Sequence, residues 1–243
     1  MNDETINDLL NYNNMKIYQN KNYFNFSLDS ILLPNFVQLN KNIKKVLDIC
    51  TGNIPIPLVL STKTDAKIYA VEIQKEIYEL ALKTLKINKL EDRIILINDD
   101  AKNVINNFET DSFDLITCNP PYFKCTNQSI KNDNKIKSIA RHEIMISLED
   151  VIAMSKKLLK NNCSLTMVHR TERLIDIITL MRKHNIEPKR IQFIYPKKNS
   201  ESNLVLIDGR KNGKPGLKIL KPLIVHEEDG KYTNEIIKMF GDE

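Results

Sequence analysis

Hydrophobic and polar positions along this chain fall into alternating blocks of two kinds. Apolar residues recur at helical spacing at 30–39, 56–61, 76–88, 148–160 and 172–183. Compact apolar runs typical of buried strands begin at residue 45 and recur at 67–73, 94–97, 113–118, 163–168, 190–195, 204–207 and 217–225. Strands that alternate with helices predict an α/β fold, in which helices cover both faces of a largely parallel sheet.

The domain organisation predicted from the 243 residues is simple. No interior stretch is rich in Gly and Ser and no repeat is visible, so we expect one domain. Residues 43–243 would form its core, and residues 1–42 an N-terminal appendage or lid. Tyr23, Phe24 and Phe26 in this appendage are candidates either for the core or for a lid over a ligand.

Three successive predicted strands end in acidic residues, and ligands bind at such strand ends in parallel sheets. Asp48 precedes a small-residue turn with Thr51 and Gly52, where glycine lets the backbone approach a ligand closely. Glu72 follows about 20 residues later, a spacing at which a carboxylate accepts hydrogen bonds from ribose hydroxyls. Asp100 ends the third strand, where it can accept from the amino group of an adenine. A single acidic residue at a strand end could simply be exposed to solvent, but acidic residues at three successive strand ends indicate a nucleoside-binding edge.

The next strand runs into Asn119-Pro120-Pro121-Tyr122. Proline fixes its own φ and restricts the residue before it, so this loop is stiff. The Asn119 amide oxygen and the Pro120 carbonyl can then be held as two acceptors for the two hydrogens of a planar –NH2 group. Tyr122 adds a flat face on which the ring bearing that amine can stack. The pattern predicts a loop that presents an exocyclic amine to an electrophile.

With these motifs the chain resembles the class I S-adenosylmethionine-dependent methyltransferases that act on amino groups. Within them it is similar to the bacterial family that methylates N6 of adenine-37 in a valine tRNA. Segments similar to that family's blocks are Asn7-Asp8-Leu9, Ile17-Tyr18-Gln19, Phe26 to Leu33, Val71 to Gln74, Ala140 to Glu143, Leu148-Glu149-Asp150, Val168-His169-Arg170, Ile194-Tyr195-Pro196 and Tyr232-Thr233. Together they span nearly the whole chain.

The resemblance implies a seven-stranded, Rossmann-like sheet, S-adenosyl-L-methionine as cofactor and an adenine in tRNA as substrate. The catalytic residues are then Asn119, Pro120, Pro121 and Tyr122. The cofactor-binding residues are Asp48, Thr51, Gly52, Glu72, Ile73, Asp100, Ala101 and Asn119. One departure matters, because Ile54, followed by Pro55, stands where a second glycine is expected. We expect it to alter the turn beneath the cofactor.

Net charge is +5 and the pI about 8.8, which suits a polyanionic partner. The candidate RNA-binding residues are Tyr122, Arg141, His142, Arg170, Arg210, Lys211 and Lys214. The basic segment 123–141 is a candidate substrate clamp, and the basic turn 209–216 a candidate phosphate-binding rim. Solvated, non-functional loops remain the alternative for both.

Other features favour a reduced, cytoplasmic protein without metal or disulfides. The chain starts with polar and acidic residues and contains no apolar run near the ~20 residues of a membrane span. The four cysteines, at 50, 118, 125 and 163, have no metal-ligand spacing.

Three alternatives stay open at this level. A protein glutamine N5-methyltransferase also binds a planar –NH2 group, but residues 1–42 are too short for the helical domain that precedes such enzymes. A DNA adenine-N6 methyltransferase would need a target-recognition domain, and none is evident. A relict RNA-binding protein without activity is the non-enzymatic alternative, and it should not bind S-adenosylmethionine.

Overall fold

Helices and strands alternate in the computed structural model, which describes residues 3–12, 14–23, 27–120, 122 and 146–241. The strands are β1 Glu4–Asp8, β2 Lys16–Asn20, β3 Lys45–Ile49, β4 Lys67–Glu72, β5 Ile94–Asn98, β6 Phe113–Cys118, β7 Leu159–Arg170, β8 Ile186–Lys197, β9 Leu204–Lys211, β10 Lys218–Ile219 and β11 Leu223–His226. The helices are α1 Asp29–Phe36, α2 Pro55–Ser61, α3 Lys75–Ile87, α4 Ala101–Val104, α5 Leu148–Leu158, α6 Leu174–Lys183 and α7 Asn234–Met239.

Strands β3 to β9 form the body of one sheet, in the order β8-β9-β7-β6-β3-β4-β5. Strand β9 runs antiparallel to both of its neighbours, and the other four pairings among β3 to β9 are parallel. The predicted α/β class and the mostly parallel sheet are thus confirmed, with a strand count close to the predicted seven. Two short strands, β10 and β11, lie one after the other along the outer edge of β8.

Helices cover both faces of this sheet and bury two hydrophobic cores. On one face, α1, α2 and α3 contribute Leu32, Leu58 and Ala81. On the other, α5 and α6 contribute Val151 and Ile177. Because the sheet is covered on both sides, β3 and β6 are buried along almost their whole length, which explains why most of their residues are apolar.

Two differences from the predicted elements lie near the C-terminus. The strand predicted at 217–225 is interrupted after Ile219, and Pro222, which has no backbone N–H, lies in the gap. The turn predicted at 209–216 begins later, because β9 continues through Lys211. Gly209 belongs to the strand, where a Cβ would lie only 2.8 Å from Ile186 Cγ2 on β8. This glycine allows close strand packing and does not mark a turn.

The N-terminal region contains a hairpin, β1–β2, that the sequence pattern did not predict. Its β2 strand packs on α3, where the backbone N–H of Tyr18 donates to Thr84 Oγ1 at 3.0 Å. The hairpin also contacts the turn after β3, since Asn53 Nδ2 donates to the Tyr18 carbonyl at 2.8 Å. Within the described residues, none of the helices has the length and apolar character needed to cross a membrane.

Candidate cofactor and amine site

The carboxyl ends of four parallel strands meet at one edge of the sheet. In register, Ile49 of β3 pairs with Val71 of β4 on one side and with Cys118 of β6 on the other. Cys118 in turn pairs with Met167 of β7. The turn after β3 therefore lies between the acidic end of β4 and the loop that begins at Asn119.

The turn after β3 has an unusual backbone, with positive φ at Cys50, Gly52 and Ile54 of 60°, 59° and 64°. Gly52 adopts this conformation at no steric cost. Around the position that a Cβ would take at Gly52, no atom of the described residues lies within 4 Å, apart from the two chain neighbours. The backbone at Gly52 therefore faces open space, as a close approach to a ligand requires.

Ile54 keeps the left-handed conformation that favours the expected glycine. A β-branched residue at positive φ is an outlier, and the conformation costs about 1–2 kcal/mol. The Ile54 side chain is completely buried in the core beside α1 and α2. The departure from the family pattern thus places strain on Ile54 without removing the left-handed turn.

Asp48 lies beneath this turn and is completely buried. Its Oδ2 accepts from Thr51 Oγ1 at 2.6 Å, and its Oδ1 accepts from Thr117 Oγ1 at 2.5 Å. Burial raises the pKa of Asp48 to about 7, against the opposing effect of these two hydrogen bonds. Asp48 and Thr51, both predicted to bind the cofactor, are buried together, so we interpret this pair as a support that ties the turn to β6.

Glu72, at the end of β4, is buried and holds the turn from the other side. Its Oε2 accepts from the Gly52 N–H at 3.0 Å, and its Oε1 accepts from the Gln74 N–H at 2.8 Å. Burial raises the pKa of this carboxyl group, while the backbone N–H groups of Gln74 and Gly52 lower it. Beside it, Gln74 Oε1 is buried and has no hydrogen-bond partner among the described residues. An acceptor without a donor at this place suits a ligand that carries hydroxyl groups.

The third acidic strand end is less buried. Asp100 caps α4, because its Oδ1 accepts from the Lys102 N–H at 2.9 Å. Ala101 begins α4 and, like Ile73, is half-buried. Asn98 joins this strand end to the previous one by donating to the carbonyls of Glu72 at 2.8 Å and Ile73 at 3.2 Å. The structure thus brings Gly52, Glu72, Ile73, Asp100 and Ala101 to one edge, as predicted for a nucleoside.

The Asn119 loop packs against the start of α1, a contact that the sequence did not predict. Asn119 Oδ1 lies 2.6 Å from the Tyr122 hydroxyl, and Nδ2 lies 3.4 Å from Ser30 Oγ. The Tyr122 hydroxyl also donates to Asp29 Oδ2. Asp29 and Ser30 are both buried, and Pro120 is buried within the loop. In the sequence, Asp29 and Ser30 were marked only by the resemblance of the Ser27-Leu28-Asp29-Ser30 segment to the family.

Strand β7 adds His169 and Arg170 on the far side of this loop. The His169 ring lies 5.3 Å from the Tyr122 ring, tilted by 49°. Burial, and then the charge of Arg173, lowers the pKa of His169 to about 4. Its Nδ1 accepts from the Arg170 N–H at 2.8 Å, so the proton of the neutral ring is on Nε2. A histidine that stays neutral at pH 7 and accepts a hydrogen bond from the backbone fits a packing role better than a catalytic one.

The basic turn is not part of this edge. Arg210 of β9 lies opposite Ser164 of β7 in the sheet. The site lies at the other end of β7, at Arg170, which is six residues or about 20 Å from Ser164. Lys211 does not fit its predicted contact with phosphate, because its side chain is only 8% exposed and its Nζ is paired with Asp111. Lys214 is exposed.

Several predicted residues lie outside the described part of the chain: Phe24, Phe26, Pro121, the clamp segment 123–141, Arg141 and His142. Within the described part, no group of three or more His, Cys, Asp or Glu side chains is arranged to hold a metal.

The sheet, the open glycine turn and the acidic strand ends define a Rossmann-like class of protein with an edge suited to a nucleoside, and the Asn119 loop follows the next strand of that edge. A family model described as "Methyltransferase small domain" matches residues 27–185, and the chain belongs to that family.

Two curated relatives are similar over most of their length. Both are named tRNA1(Val) (adenine(37)-N6)-methyltransferase. The Flavobacterium psychrophilum protein is 25% identical, with 95% of this chain and 97% of that protein covered. The Aeromonas hydrophila protein is 26% identical, with 87% and 86% covered.

Solved structures share the fold at lower sequence identity. A "predicted O-methyltransferase" of Agrobacterium tumefaciens has a TM-score of 0.69 at 18% identity, covering 87% of this chain and 95% of its own. The tRNA m1G37 methyltransferase of M. jannaschii has a TM-score of 0.60 at 19% identity, covering 88% and 56%.

Proposed function

We propose that this protein transfers the methyl group of S-adenosyl-L-methionine to N6 of an adenine in tRNA, at position 37 of a valine tRNA. The observation that carries the proposal is the position of Asn119 and Pro120. They leave β6 directly beside the glycine turn of β3, so an amine held by the loop lies next to a nucleoside held by the strand ends. The names of the curated relatives support adenine-37 as the target.

The described residues fit this cofactor. Glu72 and Gln74 Oε1, which has no hydrogen-bond partner among the described residues, offer acceptors for ribose hydroxyls, and Gly52 leaves open space for a close approach. Asp100 offers a carboxylate at the end of β5, where it can accept from the adenine amino group. The bound cofactor supplies an electrophilic methyl group on a sulfonium. Ile73 and Ala101 directly follow Glu72 and Asp100 in the chain and would flank the adenine ring.

The chain's own contribution to the reaction is position and hydrogen bonding. Asn119 Oδ1 and the Pro120 carbonyl accept the two amine hydrogens, which draws nitrogen towards the sp3 state and directs its lone pair away from the ring. Tyr122 stacks on the base, which has swung out of its stack. Extrusion costs a few kcal/mol in a duplex and less in a single-stranded loop, whereas stacking returns roughly 1–3 kcal/mol. An anticodon loop is therefore a favourable target.

The RNA would approach this edge from the β7 side. Arg170, the last residue of β7, lies next to the Asn119 loop and carries a charge suited to a phosphate. We propose that Arg141, His142 and the clamp segment add contacts there. We further propose that the protein acts in the cytoplasm as one methyltransferase domain, and α1 of the N-terminal 42 residues belongs to its core.

The direct test is transfer of radiolabelled methyl from S-adenosyl-L-methionine to bulk tRNA from a source that lacks the modification, followed by nucleoside analysis. We expect label in N6-methyladenosine, and no label with the Asn119→Ala variant. Label in protein glutamine or in DNA adenine, with none in tRNA, would identify one of the rival enzymes. Failure to bind the cofactor in a calorimetric titration would indicate a relict RNA-binding protein without activity.

A further inference from the structure

The Tyr122 hydroxyl lies between two groups that both require a proton from it. Asp29 Oδ2 accepts from this hydroxyl on one side, and Asn119 Oδ1 lies 2.6 Å from it on the other. A phenol carries one proton and so cannot donate fully to two acceptors. The two contacts therefore compete, and the outcome determines which atom of the Asn119 amide faces Tyr122.

The carboxylate is the stronger acceptor of the two, since hydrogen bonds to ionised groups are roughly twice as strong as neutral ones. Asp29 is also fixed in place, because its Oδ1 accepts from the Ser30 N–H at 3.2 Å and from the Ser27 hydroxyl. Burial, and then the Asp29 charge, raises the pKa of Tyr122 well above its ordinary value of 10, so the hydroxyl keeps its proton. Once that proton is directed at Asp29, the Tyr122 oxygen can only accept.

We propose that Asp29 is a positioning residue that sets the orientation of the Asn119 amide through Tyr122. With the Tyr122 proton on the Asp29 side, Asn119 turns its –NH2 group to the Tyr122 oxygen. Half a turn of the planar amide exchanges nitrogen and oxygen with almost no change in shape. Oδ1 then takes the position 3.4 Å from Ser30 Oγ, longer than an ordinary O–H···O bond of about 2.7–2.8 Å. The acceptor needed by the substrate amine is thereby kept available.

This inference rests on the proposed function, and the variant Asp29→Asn tests it. The introduced amide must turn its oxygen to the Ser30 N–H, which can only donate, and so its –NH2 group faces Tyr122. The Tyr122 oxygen then accepts from position 29, and its proton is directed at Asn119 Oδ1. We expect the rate of methyl transfer to tRNA in a single turnover to fall at least tenfold, with cofactor affinity unchanged within threefold.

A double-mutant cycle with Tyr122→Phe separates this mechanism from a general loss of structure. Without the hydroxyl there is no proton to redirect, so Asp29→Asn should change the rate less than twofold in the Tyr122→Phe background. Ser27→Ala is the matched control, because it alters a neighbour of the same carboxylate without touching the Tyr122 proton. Equal effects of Asp29→Asn in both backgrounds, or no effect in either, would overturn the proposal.

A second readout does not depend on activity. Selective 15N labelling of asparagine allows the Asn119 side-chain NH2 signal to be assigned by its loss in Asn119→Ala. We expect Asp29→Asn to shift this signal when Tyr122 is present and to leave it unchanged in the Tyr122→Phe background. If wild-type protein methylates no tRNA, the proposed function fails while this result still stands. If tRNA is methylated but the signal does not shift, the role of Asp29 is refuted.

Discussion

The clearest pH-dependent prediction concerns Asp48, whose pKa rises from 3.8 to about 7 because its carboxyl group is buried. An acid with a raised pKa in the folded state binds its proton more tightly there than in the unfolded chain. Its stabilising contribution is therefore complete below pH 3.8, the unfolded value, and is lost as the pH rises through about 7. The protein should become less stable on the alkaline side of this interval.

The size of the effect follows from the shift. The interval from 3.8 to about 7 is about three pH units, each equivalent to about 1.36 kcal/mol, or roughly 4 kcal/mol in total. Asp48→Asn removes the titrating group. Its amide can keep both contacts, because the hydroxyl of Thr51 or Thr117 can turn and accept from it. Between pH 4 and pH 9, the variant should gain roughly 4 kcal/mol of stability relative to the wild type.

Urea unfolding of both proteins, followed by circular dichroism at several pH values, measures this change. Glu72 also has a raised pKa, but it is present in both proteins, so the comparison isolates Asp48 and its coupling to that neighbour. A stability difference between the two proteins that is the same at pH 4 and pH 9 would show that burial of the Asp48 charge does not govern its titration.

Three further predictions address the site and the surface. Asn119→Ala should abolish methyl transfer and leave cofactor affinity within a few-fold in calorimetry; a large loss of affinity with turnover retained would contradict its assignment to the amine. Glu72→Ala and Asp100→Ala should each weaken cofactor binding by about 1–3 kcal/mol, through donors left unpaired, and unchanged affinity in both would remove them from the site. Lys211→Ala should lower the melting temperature, because its buried amine pairs with the carboxylate of Asp111, whereas Lys214→Ala should leave it unchanged. In filter binding, both variants should keep the tRNA affinity of the wild type and the salt dependence of its binding. A weaker salt dependence in either variant would show that the turn does contact the RNA.

Much of the fold could be predicted because the sheet is buried on both faces. Its central strands, such as β3 and β6, are mostly apolar runs that can be recognised directly in the sequence. The β1–β2 hairpin was missed because the residues of β1, Glu-Thr-Ile-Asn-Asp, are largely exposed and carry no apolar pattern. Strand β8 contains Pro188 and Pro196, which concealed its full length, and its pairing with β9 shifts register after Pro188.

The site could be predicted as far as it depends on strand ends. A parallel sheet brings the residues after β3, β4 and β5 together, so their positions along the chain suffice. The contact between Asp29 and Tyr122 joins residues 93 positions apart and depends on how α1 packs. The position of Lys211 could not be predicted for a related reason, since the direction of β9 decides which edge of the sheet its last residues reach.

Ile54 shows why a departure from a family pattern does not by itself indicate lost function. The sequence could predict that isoleucine is strained where glycine is expected, at a cost of about 1–2 kcal/mol. It could not predict that the side chain is fully buried, which returns roughly 1.5–3 kcal/mol. The strained residue also continues the local hydrogen bonds, since its N–H donates to the Thr51 carbonyl at 3.1 Å and its carbonyl accepts from the Leu58 N–H at 3.1 Å. Packing of this side chain can therefore hold the turn in the shape that glycine would adopt freely, and Gly52 still faces open space.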